Sequence, residues 1–361
     1  MINIQLDEEQ QLIQDTVSSF AKEQIRDAAR EADENNTVPA AIIDKAWELG
    51  LIQNTIPEAY GGYGAEASAV TGTVIAESLA EGDLSIAMHA LSPKLVVDPV
   101  LHLGNDEQKQ RVLPTYAGEK FVPGSAAVSE PRWNFSVSTM KTTAISDGDN
   151  YVLNGQKCLV PLAKDAPFTI VYAKDDDGVV GAFIVEQGTA GYNIGDREAN
   201  LGLRALETYE VTLEDCKVPA ANRLGSDALT MLRRARIGHA AMAVGVAKAS
   251  LDYAIVYAKD REVFGVKVAQ KQAIAFMLAD MAIEVDSARL LAWEAAWLID
   301  EGEDHIREVA LADKFAAEAV MTVTDNGIQV LGGHGFIRDH PSEMWARNGR
   351  GFATFEGLAS V

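Results

Sequence analysis

The sequence predicts an α+β chain that is mostly α, with its strands gathered in the middle. Three observations predict it. Apolar residues recur at a helical period through the first third, short alternations broken by turn residues take over from about residue 121, and the helical period returns from residue 228 and persists. A β-barrel or sandwich held between helical blocks follows from that order. We divide the chain accordingly at 1–120, 121–225 and 226–361.

In the first third, Asp7 followed by Gln10 has the form of a capping box, and Leu12, Ile13, Val17, Phe20 and Ile25 follow at near-helical spacing. An amphipathic helix opens the chain. Residues 40–51 (AAIIDKAWELGL) read as a second helix ended by Gly50, and 57–64 (PEAYGGYG) as a glycine-rich turn. Short helices follow at 70–79 and 85–91, with Asp83 as the N-cap between them, and 108–116 leads to Gly118.

In the middle, apolar alternations at 142–145, 151–153, 169–173 and 180–185 are separated by Asp147-Gly148-Asp149, by Asn154-Gly155 and by a turn at 175–178. These read as hairpins. Runs at 211–213 and 217–219, then Leu224, close the region. In the last third, Ile237, Ala240, Ala241, Val244, Ala247 and Leu251 form one stripe and Ile274, Met277, Met281, Val285, Ala288 and Leu291 another, with a third over 306–331. Antiparallel helices in a bundle, with faces wide enough to meet other subunits, are the expectation. Met281 and Trp293 read as core packing.

Composition narrows the function. The 361 residues, 48% hydrophobic, bury a large core, and the net charge of -22 argues against nucleic acid and anionic membrane surfaces. Cys158 and Cys216 neither build a disulfide framework nor stand at metal-site spacing to histidine, so no metal is expected and a reducing cytoplasm fits. The opening MINIQLDEEQ lacks the features of a secretory leader, and no apolar run is read as long enough to span a bilayer.

Candidate chemistry lies in three places. Glu356 stands between Phe355 and Gly357 where the backbone leaves a helical segment, so its carboxylate can face a cleft as a general base. Arg261 at one helix end, an Arg-x-x-Phe-Gly turn through Phe264, and Gln272 at the next helix start bring a cation and an amide to one junction, suited to a pyrophosphate. Gly332-Gly333, after Gln329, lets backbone approach a ligand closely.

Together these segments resemble the acyl-CoA dehydrogenase family over essentially the whole chain: Ser129-Glu130-Pro131, Asn154-Gly155-Gln156-Lys157, Gly202-Leu203-Arg204, 211–219 (VTLEDCKVP), 261–272, 329–335 and Phe355-Glu356-Gly357 stand in family order. The resemblance implies an N-terminal helical domain, a middle β-barrel and a C-terminal four-helix bundle, assembled as a homo- or hetero-tetramer or dimer. It implies FAD, with Arg261, Phe264, Gln272, Gln329, Gly332 and Gly333 matching positions that hold the pyrophosphate and adenine of a neighbouring subunit's FAD. Val128 and Ser129 match the residues that meet the flavin ring. Glu356 matches the base, Phe355 and Gly357 its flanking residues at the substrate, and Arg236 an arginine close to the active site. The implied reaction is α,β-dehydrogenation of an acyl-CoA thioester, Glu356 taking the α-proton and hydride passing to flavin N5, with electron-transferring flavoprotein as acceptor.

Three departures set this chain apart. Arg132-Trp133-Asn134-Phe135-Ser136 replaces the family's small residues after Glu-Pro, reshaping or closing the space beside the flavin. Leu159 and Pro161 replace an aromatic and a threonine, and proline has no N–H to donate. Leu358, Ala359, Ser360 and Val361 stand where the family continues with flavin or adenine contacts. An alternative therefore stands beside the enzyme: a subunit of a hetero-oligomer that completes its partner's FAD site through Arg261 and Gln329, with little activity alone. A non-dehydrogenating flavoenzyme on the same scaffold is a third reading.

Overall fold

The side chain of Asp7 accepts the Gln10 N–H at 2.8 Å and the Gln10 amide accepts the Asp7 N–H at 3.2 Å, so the capping box starts α1 (Glu8–Phe20) where expected. The computed structural model describes residues 5–64 and 67–361. The first four residues of the N-terminal stretch read above lie outside them. A wider turn at Ala21–Ile25 carries α1 into α2 (Arg26–Asn35), and α3 (Ala40–Glu48) ends before Gly50, whose φ of 69° is the left-handed one expected of a helix-stopping glycine. α4 (Ala69–Gly82) and α5 (Leu84–Ala90) meet at Asp83, which accepts the Ile86 N–H at 2.9 Å. α6 (Lys94–Leu103) is unanticipated by the sequence reading because Pro99 sits in its interior; α7 (Asp106–Val112) completes the helical third.

The middle of the chain is one curled seven-stranded sheet, in the order β1-β4-β2-β3-β7-β6, with β5 also paired to β4. Its strands are β1 (Ser125–Ala127), β2 (Thr143–Asp147), β3 (Asn150–Pro161), β4 (Phe168–Lys174), β5 (Val180–Glu186), β6 (Tyr192–Arg197) and β7 (Thr208–Pro219). Asn154-Gly155, expected as a hairpin turn, lies instead inside β3. The register against β7 shifts between Leu153 and Gly155, and Gly155 adopts φ 152° with Thr142 so close that a Cβ would lie 2.6 Å from its Oγ1. The glycine marks a bulge and a close approach, not a reversal. The runs at 211–213 and 217–219 are parts of the single strand β7.

The last third is α8 (Ala228–Asp260), a short β8–β9 ribbon (Glu262–Val263, Val266–Lys267), α9 (Gln272–Asp300), α10 (Ile306–Leu331) and α11 (Ser342–Gly349). The expectation of no membrane-length apolar run is corrected by α8, which is long and apolar enough to cross a bilayer. Its alanines and glycines instead meet protein: Ile237, Ala240, Ala241, Val244 and Ala247 are buried in one core with Leu79, Ala80, Ala288, Ala292, Ala316 and Val320. Where α4, α9 and α10 surround it, over 237–247, the helix is buried on every side and apolar but for His239. A second core of Leu153, Val171, Phe183, Val211 and Cys216 lies within the sheet.

Candidate active site

Glu356 is held by local glycine geometry. After α11 a 3-10 turn (Arg350–Ala353) ends with the Thr354 and Phe355 N–H groups donating to the Gly351 carbonyl at 2.8 and 3.2 Å. Any Cβ on Gly351 would lie 2.0 Å from the Phe355 ring. Past Glu356, Gly357 takes φ 74°, and a Cβ there would meet Val128 Cγ2 at 2.2 Å. Glycines on both sides of the Phe355-Glu356 pair therefore let the turn seat directly on the segment after β1.

The carboxylate of Glu356 pairs with Arg236, which projects from α8: Nη2 to Oε1 is 2.7 Å, with Nε at 3.3 and 3.4 Å from the two oxygens. One turn along the helix His239 is fully buried, and burial with Arg236 nearby pushes its pKa down to about 3. The neutral ring accepts the Leu358 N–H at Nε2, 3.1 Å away, tying the base loop to α8. Sequence reasoning missed His239 because a histidine within an apolar stripe reads as core.

Glu356 opens onto a cavity of ≈ 430 Å³, also lined by Ser129, Glu130, Phe135, Leu159, Asp313 and Phe355. That is ample for part of a small ligand. Trp133 and Phe135, expected to reshape or close this space, both line it without filling it: Trp133 is 97% exposed, and Phe135 has the Arg132 guanidinium 5.8 Å from its ring centroid. A second cavity of ≈ 280 Å³, lined by Gly202, Leu203, Arg350 and Gly351, shares Leu159, Thr354 and Phe355 with the first.

Val128 and Ser129 form a strap on that wall. The Cys158 N–H donates to the Ser129 carbonyl at 3.0 Å and Lys157 Nζ to the Val128 carbonyl at 2.9 Å, both from β3. Arg261, Phe264, Gln272, Gln329, Gly332 and Gly333 lie elsewhere, on the outer surface, and none lines the cavity at Glu356. They form their own group: Tyr257, one turn before Arg261, bonds His334 Nδ1 at 2.9 Å, just past the glycine pair. Phe264 is 94% exposed, and added Cβ atoms at Gly332 and Gly333 would meet nothing within 4 Å. The structure thus brings the predicted residues together as two sets, one at the cavity and one on exposed surface outside it.

Models of the N-terminal, middle and C-terminal domains of acyl-CoA dehydrogenases match residues 7–120, 125–216 and 226–361. The chain belongs to the acyl-CoA dehydrogenase family. It is 34% identical to the mitochondrial short-chain specific acyl-CoA dehydrogenase of Bos taurus, over 99% of this chain and 89% of that protein. Among solved structures it resembles butyryl-CoA dehydrogenase from Megasphaera elsdenii (TM-score 0.88, 29% identity, 99% of this chain and 96% of the other). It also resembles a chain in a structure described as the electron transferring flavoprotein of Acidaminococcus fermentans (TM-score 0.89, 33% identity, 99% and 96%). Like the family, it is an FAD-dependent oxidoreductase.

The residues present fit that cofactor. Ser129 Oγ is buried on the cavity wall with no hydrogen-bond partner among the described residues, and a bound flavin would supply one. The outer set offers the side chains of Arg261, Gln272 and Gln329 without partners among the described residues, beside open backbone at Gly332 and Gly333. At β3 the cradle offers few donors: the Leu159 N–H is taken by Glu198 at 3.1 Å, and Pro161 has none.

Proposed function

We propose that this chain dehydrogenates an acyl-CoA thioester across its α and β carbons, with Glu356 as the base that takes the α-proton. The observation that carries the reading is the seating of Gly357 on Val128, which puts the carboxylate of Glu356 and the strap that would meet the flavin on the walls of one cavity. Arg236 orients the carboxylate from behind, and Phe355 packs on Phe352 with ring centroids 5.3 Å apart, keeping that side of the cavity apolar. In such a site a positioned carboxylate can act as general base on a C–H made acidic by the adjacent thioester. Bound FAD supplies the acceptor for the hydride that leaves the β carbon. The likeness to a chain from an electron transferring flavoprotein structure supports such a flavoprotein as the electron acceptor.

Because no residue of the outer set reaches the Glu356 cavity, one FAD touching both sets would lie between two chains, which supports an oligomer. Glu356→Gln keeps the shape and removes the base. It should hold FAD but lose acyl-CoA-dependent bleaching of the flavin bands by 10³-fold or more in rate, roughly the scale of a lost acid–base group. Full bleaching in this variant removes Glu356 as the base.

The occupied Leu159 N–H and the missing one at Pro161 favour a second reading, in which this chain completes a partner's FAD site through Arg261 and Gln329. A purified chain that is colourless alone and turns yellow only with a second subunit selects it.

A further inference from the structure

We propose that Lys157 is a positioning residue for the active site: its ammonium, buried beneath the Val128–Ser129 strap, holds that strap against both the flavin position and the base loop. The inference rests on the reading that FAD sits at Val128 and Ser129.

Lys157 points inward from β3 and is fully buried. Its Nζ donates to the Val128 carbonyl at 2.9 Å and stands 3.7 Å from Glu130 Oε1. Glu130 does not need it. That carboxylate already accepts the N–H groups of Lys141 and Thr142 at 2.8 and 2.7 Å, the Thr142 hydroxyl at 2.7 Å and Arg132 Nη2 at 2.9 Å. Burying an ammonium is costly, and a structural need here would be met by an apolar chain of the same length. The bond peculiar to the lysine is the one to the strap.

The strap transmits that bond in two directions. With the Val128 and Ser129 carbonyls both drawn to β3, the unpartnered Ser129 Oγ is left on the cavity wall. On the other side the Val128 side chain packs on Gly357 so closely that no Cβ fits, and Gly357 is bonded to Glu356. Lys157, Val128, Gly357 and Glu356 thus form a continuous packed path, and a strap released from below would move the flavin contacts and the base together.

Charge on Lys157 varies in the neutral range. Burial pushes its pKa down to about 7, opposed by Glu130 and Cys158 and assisted by Arg132, the charged and titratable groups that face it. As pH rises through 7 the bond from Nζ to the Val128 carbonyl passes from a charge-assisted to a weaker neutral one, and the strap loosens. Fold stability moves the other way: the unfolded lysine keeps its proton to about 10.4, so unfolding takes up a proton between 7 and that value and this group makes the fold more stable as pH rises. Cofactor affinity and fold stability therefore part company.

The test follows FAD release from the holoenzyme on dilution, read by flavin fluorescence at pH 6 and pH 8.5, together with the visible flavin spectrum and the thermal midpoint. The wild type should hold FAD several-fold less tightly at pH 8.5. Lys157→Met should bind FAD about tenfold more weakly at pH 6, the scale of one lost charged hydrogen bond, with shifted flavin bands, no further weakening at pH 8.5 and no lower thermal midpoint. A variant with wild-type affinity and spectrum overturns the proposal, as does pH-dependent release that survives the substitution. Should Lys157→Met fail to fold, unchanged wild-type release between the two pH values overturns it alone. A wild type that holds no FAD at either pH removes the reading of the site and this inference with it, an outcome distinct from pH-independent binding.

Discussion

Asp313, on α10, is the acid on the Glu356 cavity wall that has no direct cation partner among the described residues. Glu130 is met by Arg132 at 2.9 Å, Glu318 by Lys314 at 2.7 Å and Glu356 by Arg236 at 2.7 Å, whereas the Asp313 carboxylate makes neither ion pair nor hydrogen bond among the described residues. Burial first, and then the charge of Glu356, push its pKa up to about 6 against the pull of Arg236 and Lys314. The sign follows: the folded chain keeps this proton to higher pH than the unfolded chain, so its contribution to stability is whole below about 4 and is lost as pH rises through 6. Asp313→Asn should therefore raise stability at pH 7, by at most about 3 kcal/mol, with the gain vanishing below pH 4. Thermal melts of both proteins at pH 4 and 7 measure it; equal melting temperatures at pH 7 refute the assignment. Nothing in the sequence separated this aspartate from the solvated face of α10, since it is adjacent to the buried Ala312 and only the turn carrying Glu356 brings a cavity to it. The position of Glu356 at a cleft was legible because the aromatic and the glycine beside it are local requirements of its turn.

At the scale of elements, the approach of α4 to α8 decides how the helical thirds join. A Cβ on Gly245 would lie 2.2 Å from the Glu77 carbonyl and 2.9 Å from the Glu81 N, both backbone atoms that cannot rotate away. Gly245→Ala should separate these helices and cost about 1–3 kcal/mol, the range for overpacking a filled core, although alanine alone favours a helix. Denaturant melts that show no loss would mean that the helices can slide apart freely. The apolar period of α8 was plain in the sequence, but Gly245 was not, because the need for it comes from a helix more than 150 residues earlier in the chain. Gly155 failed in the opposite sense. Asn-Gly is a local hairpin signal, and it was overruled by the approach of Thr142 and by the partner strand β7. Elements set by local periodicity were readable, whereas α6 with Pro99 and the bulge in β3 are set by tertiary packing.

For the whole molecule, the face left uncovered on α9 points to assembly. Phe276, Ile283 and Leu290 are 61%, 64% and 47% exposed and recur every seven residues, so they form one apolar stripe along the helix. Phe264 in the turn between β8 and β9 and Phe336 after α10, 94% and 85% exposed, add to the outer apolar surface near Arg261 and Gly332. Surface of this kind on a large chain marks an interface. We expect light scattering after size exclusion to give a multiple of 38.8 kDa. Because each chain carries a net charge of -22, association should strengthen as salt screens the repulsion, over a range of about 10 Å at 0.1 M. The double variant Phe276→Asp, Ile283→Asp changes only exposed side chains and should fold, yet it would set carboxylates into the shared face and lower the mass. If one FAD lies between two chains, the same variant should release it in proportion to the dissociated fraction. A variant that dissociates while keeping its flavin would place the whole cofactor within one chain, and one that keeps its mass would put the interface on another face.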